Sequence, residues 1–193
     1  MLVATYPPFV RDSEALRQAV VWAEGLHADQ RRDADRAPFI LHPLEVASLL
    51  WAWGYDEEVV VAGILHDLIE DTGALAEDVR ERFGDRVTEI VLAVTEDPTI
   101  ARFAERKAAL RAQVARGGPD VIAIYAADKV AKARELRSQV NRHHATLDDP
   151  RFRRRLEHYE HSLTMLRDVE PEHPFVGQLA FELWALDVLP PGA

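Results

Sequence analysis

The sequence predicts a single all-α domain spanning residues 1–193, and three observations predict it. Apolar residues recur at helical spacing along most of the chain. Short breaks containing Gly or Pro divide these stretches, with no low-complexity tract, internal repeat or linker between them. With 193 residues, 48% of them apolar, one core can form without disulfides or a structural metal.

The elements follow in order. Ser13 is a fitting N-cap for a helix to about His27, with Leu16, Ala19, Val20, Ala23 and Leu26 on one face. "ADQRRDADRAPF" has no apolar period and reads as a loop. Pro43 suits the first position of a helix that stops at Gly54. Asp56 caps one long helix through "DEEVVVAGILHDLIEDTG". Gly84 divides helices at about 75–83 and 85–96, and another at 100–116 ends in the turn "GGP". A helix from about Asp120 to Arg142 closes a core of about 13–142. C-terminal helices within about 150–187 are expected as a peripheral cap. Trp22, Trp51, Trp53 and Trp184 occupy apolar helix positions and are expected in the core.

Composition narrows the function. The absence of cysteine excludes disulfides, thiolate zinc sites and cysteine nucleophiles. A formal net charge of −10 argues against a general nucleic-acid binder but leaves a nucleotide substrate open. The N-terminus is a poor signal peptide, and no apolar run reaches the roughly 18 residues of a membrane span. A soluble cytoplasmic protein is expected, with a small-molecule nucleotide as partner, neither nucleic acid nor membrane, and homo-oligomerisation open.

One stretch concentrates the chemistry: "ILHDLIEDTG", residues 64–73. His66 and Asp67 offer an imidazole and a carboxylate, the mixed donors that suit Mn, Fe or Zn. Two neighbours cannot close a site, so other ligands must come from elsewhere. His42, at a helix start, and Asp128, in the apolar "IYAADKVAKAREL", are candidates. An Asp in such surroundings is rarely buried unless paired or bound to a cation. Glu70 and Asp71 would share a helix face with the pair, close enough to repel unless a cation or proton intervenes. A carboxylate beside a metal can orient water or move its proton. A solvated acidic helix end has the same spacing, so both readings stand on these residues alone.

At these positions the chain resembles the HD-domain phosphohydrolases, and more closely the (p)ppGpp hydrolase domain of the RelA/SpoT family, in its small single-domain form. "LHADQRR", "PFILHPLEVA", "AGILHDLIEDT", "FGDRVTEIVLAVTED", "ERK" and "AADK…ELR" stand in the family's order over about residues 14–137. The resemblance implies a compact helical HD-domain bundle. It implies metal ligands His42, His66, Asp67 and Asp128, most often holding Mn²⁺, with Glu70 and Asp71 as the catalytic acidic pair. The implied reaction is hydrolysis of the 3′-pyrophosphate of (p)ppGpp by metal-activated water, giving GDP or GTP and pyrophosphate.

The nucleotide-binding positions implied are Arg32, near the guanine base, and Arg102, Arg106 and Lys107 around the phosphates; Lys132 could add a phosphate contact or be a solvated helix residue. Asp33 stands where the family often has Lys, Lys132 where it has Asn, and Glu135 where the bacterial enzymes commonly have Thr. These departures leave two alternatives: an HD-type phosphohydrolase for another phosphorylated nucleotide, or a non-catalytic nucleotide-binding domain. His27, in "H-x-x-Q", fits a supporting role. His143 and His144 are expected at the surface, and "RFRRRLEHYEH" reads as one charged helix face.

Overall fold

The computed structural model describes residues 6–141 and 149–188. His143 and His144 lie outside the described residues. The regular elements are helices, so the all-α expectation holds. One isolated bridge, Arg31 with Pro38, closes the base of the loop between them. No helix among the described residues is long and apolar enough to cross a membrane. The chain folds as two compact units, Met1–Arg31 with Pro38–Thr95, and Arg32–Ala37 with Glu96–Ala193.

The first unit holds α1 (Pro8–Asp12), α2 (Glu14–Leu26), α3 (Leu41–Ala52), α4 (Glu57–Leu65), α5 (Leu68–Asp71) and α6 (Ala76–Val94). The Ser13 side chain accepts from the Leu16 amide at 3.2 Å, and Asp56 accepts from Val59 at 3.1 Å, so both expected caps form. α4 is the hub, packed by α2, α3 and α6. Every residue from Val59 to Leu65 is buried, as an apolar-all-round helix requires. A Cβ on Gly63 would stand 2.5 Å from Leu50 Cδ1, so this glycine permits the close approach of α3 to α4. Gly84, at φ 87°, interrupts α6 where the two-helix reading placed a division.

Three expectations need correction here. α3 starts at Leu41 rather than Pro43, which puts His42 inside its first turn. The single helix expected through 56–73 is two, because His66 and Asp67 form a turn. The tryptophans are not core. Trp51 and Trp53 are exposed at the end of α3, where Phe9 of the unforeseen α1 stacks on Trp51 at 5.5 Å. Trp22 is half-buried, with the Arg82 guanidinium 4.8 Å from its ring.

The second unit holds α7 (Phe103–Val114), α8 (Pro119–Asn141), α9 (Pro150–Val169) and α10 (Pro174–Val188). α8 is its axis and contacts the other three. Phe152, Leu166, Phe175, Leu179 and Leu186 are fully buried. The C-terminal helices thus build this unit's core, where a peripheral cap was expected. Phe181, Trp184 and Val188 line the outer face of α10 and are exposed. Buried Glu182 is held by Arg134 Nε at 3.1 Å and Arg137 Nε at 2.8 Å.

Candidate metal centre

In the first unit three buried side chains converge. His42 Nε2 and His66 Nε2 are 3.3 Å apart. Asp67 reaches both, with Oδ2 at 3.3 Å from His42 and Oδ1 at 3.1 Å from His66. Local backbone chemistry sets this geometry. His66 Nδ1 donates to the Gly63 carbonyl at 2.8 Å. That carbonyl is the one the Asp67 amide would use if α4 continued, so the imidazole takes over the helical bond. The chain turns there, with Asp67 at φ −92°, ψ −4°, and its carboxylate comes round to the two rings.

The same bond assigns the tautomer. With the proton on Nδ1, His66 presents a lone pair at Nε2 toward its neighbours. Two imidazole nitrogens and a carboxylate aimed at a common point are a donor set for a divalent transition cation.

Gln30 and His27 support this arrangement. Gln30 Nε2 donates to the Asp71 carbonyl at 2.8 Å, so its Oε1 is the acceptor for His27 Nδ1, also at 2.8 Å. His27 packs on Phe39 at 4.7 Å between ring centroids, and Phe39 in turn on His42 at 5.7 Å. Burial lowers the His27 pKa, which keeps the ring neutral. Gln30 had no place in the sequence reading beyond the "H-x-x-Q" pattern. Its role depends on a partner forty-one residues away.

Glu70 and Asp71 lie on α5 and are exposed. They stand at the surface while His42, His66 and Asp67 are buried, and the turn at 66–67 divides the continuous helix face expected for the four.

In the second unit Asp128 is buried, 4% exposed, on α8. It pairs with the neighbouring Lys129, itself buried, and with Lys132 Nζ at 3.1 Å. Lys129 also lies over the Tyr125 ring at 4.4 Å. Arg106 and Lys107 both bind the carboxylate of buried Glu96. Arg102 is exposed and pairs with Glu105 at 3.1 Å. Arg32 pairs with Asp35 at 3.3 Å.

The HD domain family model matches residues 19–149. A Drosophila melanogaster protein named guanosine-3′,5′-bis(diphosphate) 3′-pyrophosphohydrolase MESH1 is 35% identical over 142 residues, 72% of this chain and 75% of that protein. An Aquifex aeolicus guanosine-3′,5′-bis(diphosphate) 3′-pyrophosphohydrolase is 39% identical over 94 residues, 49% of this chain. The chain spans only 13% of that relative's length, and 18% of that of a probable GTP pyrophosphokinase from Mycobacterium leprae. Among solved structures, a metazoan SpoT orthologue described as hydrolysing ppGpp matches with a TM-score of 0.79 at 26% identity, over 96% of this chain and 99% of that one. A Listeria monocytogenes protein matches with a TM-score of 0.67 at 31% identity, over 76% of this chain and 96% of that one. The chain therefore belongs to the HD-domain family, in the group that holds the metazoan SpoT homologues.

Proposed function

We propose that the protein is a metal-dependent guanosine-3′,5′-bis(diphosphate) 3′-pyrophosphohydrolase acting on (p)ppGpp in the cytoplasm. The observation that carries this reading is the buried convergence of His42 Nε2, His66 Nε2 and Asp67 at 3.1–3.3 Å. The kinship with pyrophosphohydrolases supports the substrate class. We read residues 1–193 as one functional domain, in keeping with a family model whose matched residues draw on both compact units.

In this proposal His42, His66, Asp67 and Asp128 ligate the cation, with Mn²⁺ the metal of choice. When bound, a divalent ion supplies Lewis acidity toward water and a phosphoryl oxygen. The chain supplies the rest. Neutral imidazoles and buried carboxylates hold the ion without needing a proton. Glu70 and Asp71 take a proton from the attacking water and return one to the departing 3′-oxygen. The ester O–P bond breaks, releasing GDP or GTP and pyrophosphate. Arg32 meets the base, while Arg102, Arg106, Lys107 and Lys132 neutralise phosphate charge.

The test is incubation of Mn²⁺-loaded protein with a nucleotide panel containing ppGpp, followed by product separation. Pyrophosphate and GDP from ppGpp are expected. Orthophosphate from a different nucleotide would move the assignment to another HD phosphohydrolase. Tight nucleotide binding without turnover would make this a non-catalytic domain.

A further inference from the structure

The loop 32–37 belongs to the second unit and carries Arg32. It closes on itself: the Arg32 amide donates to the Ala37 carbonyl at 2.9 Å, the Arg36 amide to the Arg32 carbonyl at 3.0 Å, and the Ala37 amide to Asp35 Oδ1 at 3.1 Å. Its conformation is strained, because Arg36 sits at φ 62°, a left-handed backbone that a side chain disfavours. Strained positions persist where the surroundings over-determine them.

Two further bonds tie the loop to helices of its own unit. The Ala34 amide donates to Glu135 Oε1 of α8 at 3.2 Å. Arg155 of α9 reaches Asp33 Oδ2 at 3.4 Å. These ties are unequal. The Arg155–Asp33 pair is well exposed, 36% and 69%, and such pairs hold little. Ala34 is fully buried, and a buried amide deprived of its acceptor is costly. Asp128, Lys132 and Glu135 are spaced i, i+4 and i+7, so Glu135 brings the loop to the helix face that bears the proposed ligand and a phosphate-binding cation. The Arg32 Nε is itself buried and makes no hydrogen bond among the described residues.

We propose that Glu135 is a positioning residue that latches loop 32–37 to α8 and so sets where Arg32 meets the nucleotide. The inference rests on the functional reading above, with Arg32 as the base contact. The role assigned to Glu135 needs no contact with substrate or metal. It acts through the backbone of Ala34, and an amide oxygen in its place accepts the same bond.

The experiment compares wild type with Glu135→Ala, Glu135→Asp and Glu135→Gln, all loaded with Mn²⁺. Kinetics on ppGpp are read alongside the rise in melting temperature that ppGpp produces and the bound manganese. Glu135→Ala is expected to raise KM about tenfold, roughly one hydrogen bond's worth, with kcat and manganese content near wild type and a smaller ppGpp-induced shift. Glu135→Gln is expected to restore KM. Glu135→Asp keeps the charge but falls short of the amide, and is expected between them. It serves as the test if the alanine variant does not fold.

A KM within twofold of wild type in both Glu135→Ala and Glu135→Asp, or equal damage in Glu135→Gln and Glu135→Ala, overturns the latch while wild-type turnover leaves the functional reading standing. A wild-type protein that neither hydrolyses ppGpp nor is stabilised by it overturns that reading, and the latch with it.

Discussion

His66 Nδ1 donates to the Gly63 carbonyl at 2.8 Å, and this one bond both ends a helix and aims a proposed metal donor. It leaves Nε2 facing His42 and Asp67. Asp67→Ala is expected to remove the carboxylate that touches both rings and to reduce co-purifying metal to roughly a tenth or less, at least the 10- to 100-fold effect of disturbing a ligand's support. Glu70→Gln, exposed on α5, is expected to keep wild-type metal content and lose most turnover. Elemental analysis and steady-state kinetics on the same preparations separate the two, and full activity in either variant would sink the assignment.

Gly63 also allows α3 and α4 to approach. Gly63→Ala places a methyl 2.5 Å from Leu50 Cδ1, a side chain that is itself fully buried. The expected cost is about 1–3 kcal/mol of stability, read from denaturant unfolding. Because α3 bears His42 and α4 leads into His66, metal affinity should fall as well. A variant equal to wild type in both would show that the interface yields freely.

His158 makes stability depend on acid. It is 4% exposed, and its Nδ1 accepts from Arg111 at 2.9 Å. Burial, followed by the nearby Lys129, Lys107 and Arg111, drives its pKa far below the ordinary 6.5. The sign follows from linkage. Below pH 6.5 the unfolded chain takes up a proton that the native chain refuses, so native stability falls as pH drops, by up to about 1.4 kcal/mol per pH unit. Above that pH both states are neutral and the group contributes no slope. His158→Gln should flatten the decline in melting temperature between pH 6.5 and 5. An unaltered slope would assign the acid sensitivity to other groups, of which buried His27 and half-buried His173 also have lowered pKa values.

Glu182 joins α10 to α8 through Arg134 and Arg137. Glu182→Leu leaves two guanidiniums facing an apolar side chain. Both are about one-third exposed, 36% and 34%, so water recovers part of the loss. The expected destabilisation is about 2 kcal/mol, below the 3–5 kcal/mol of a fully buried break, measured by urea unfolding. A neutral result would mean that α10 is held by its apolar face alone.

Periodicity made the helices legible, and cap chemistry made their starts legible where Ser13 and Asp56 act. It misjudged the tryptophans because an apolar position on a helix does not reveal which face a neighbour covers. Phe181, Trp184 and Val188 lie exposed on α10 for the same reason. His42, His66 and Asp67 could be named from donor type and order. The turn between His66 and Asp67 was hidden, since it arises from a side chain competing for a backbone carbonyl and not from a breaker residue. Gln30, the Ala34–Glu135 tie and the capture of Arg106 and Lys107 by Glu96 depend on partners distant in sequence, which spacing within one helix does not encode.

α5 is only four residues long, too short to hold itself by its own hydrogen bonds. Gln30 moors its last residue through the Asp71 carbonyl, while the donors immediately before it are fixed by burial. The protein thus separates stiffness from responsiveness within six consecutive positions. His66 and Asp67 form a buried seat for the proposed cation, and the two acids ride a short solvent-facing turn. That turn can lose and regain its shape, or adjust to the proposed nucleotide, without unseating what lies behind it.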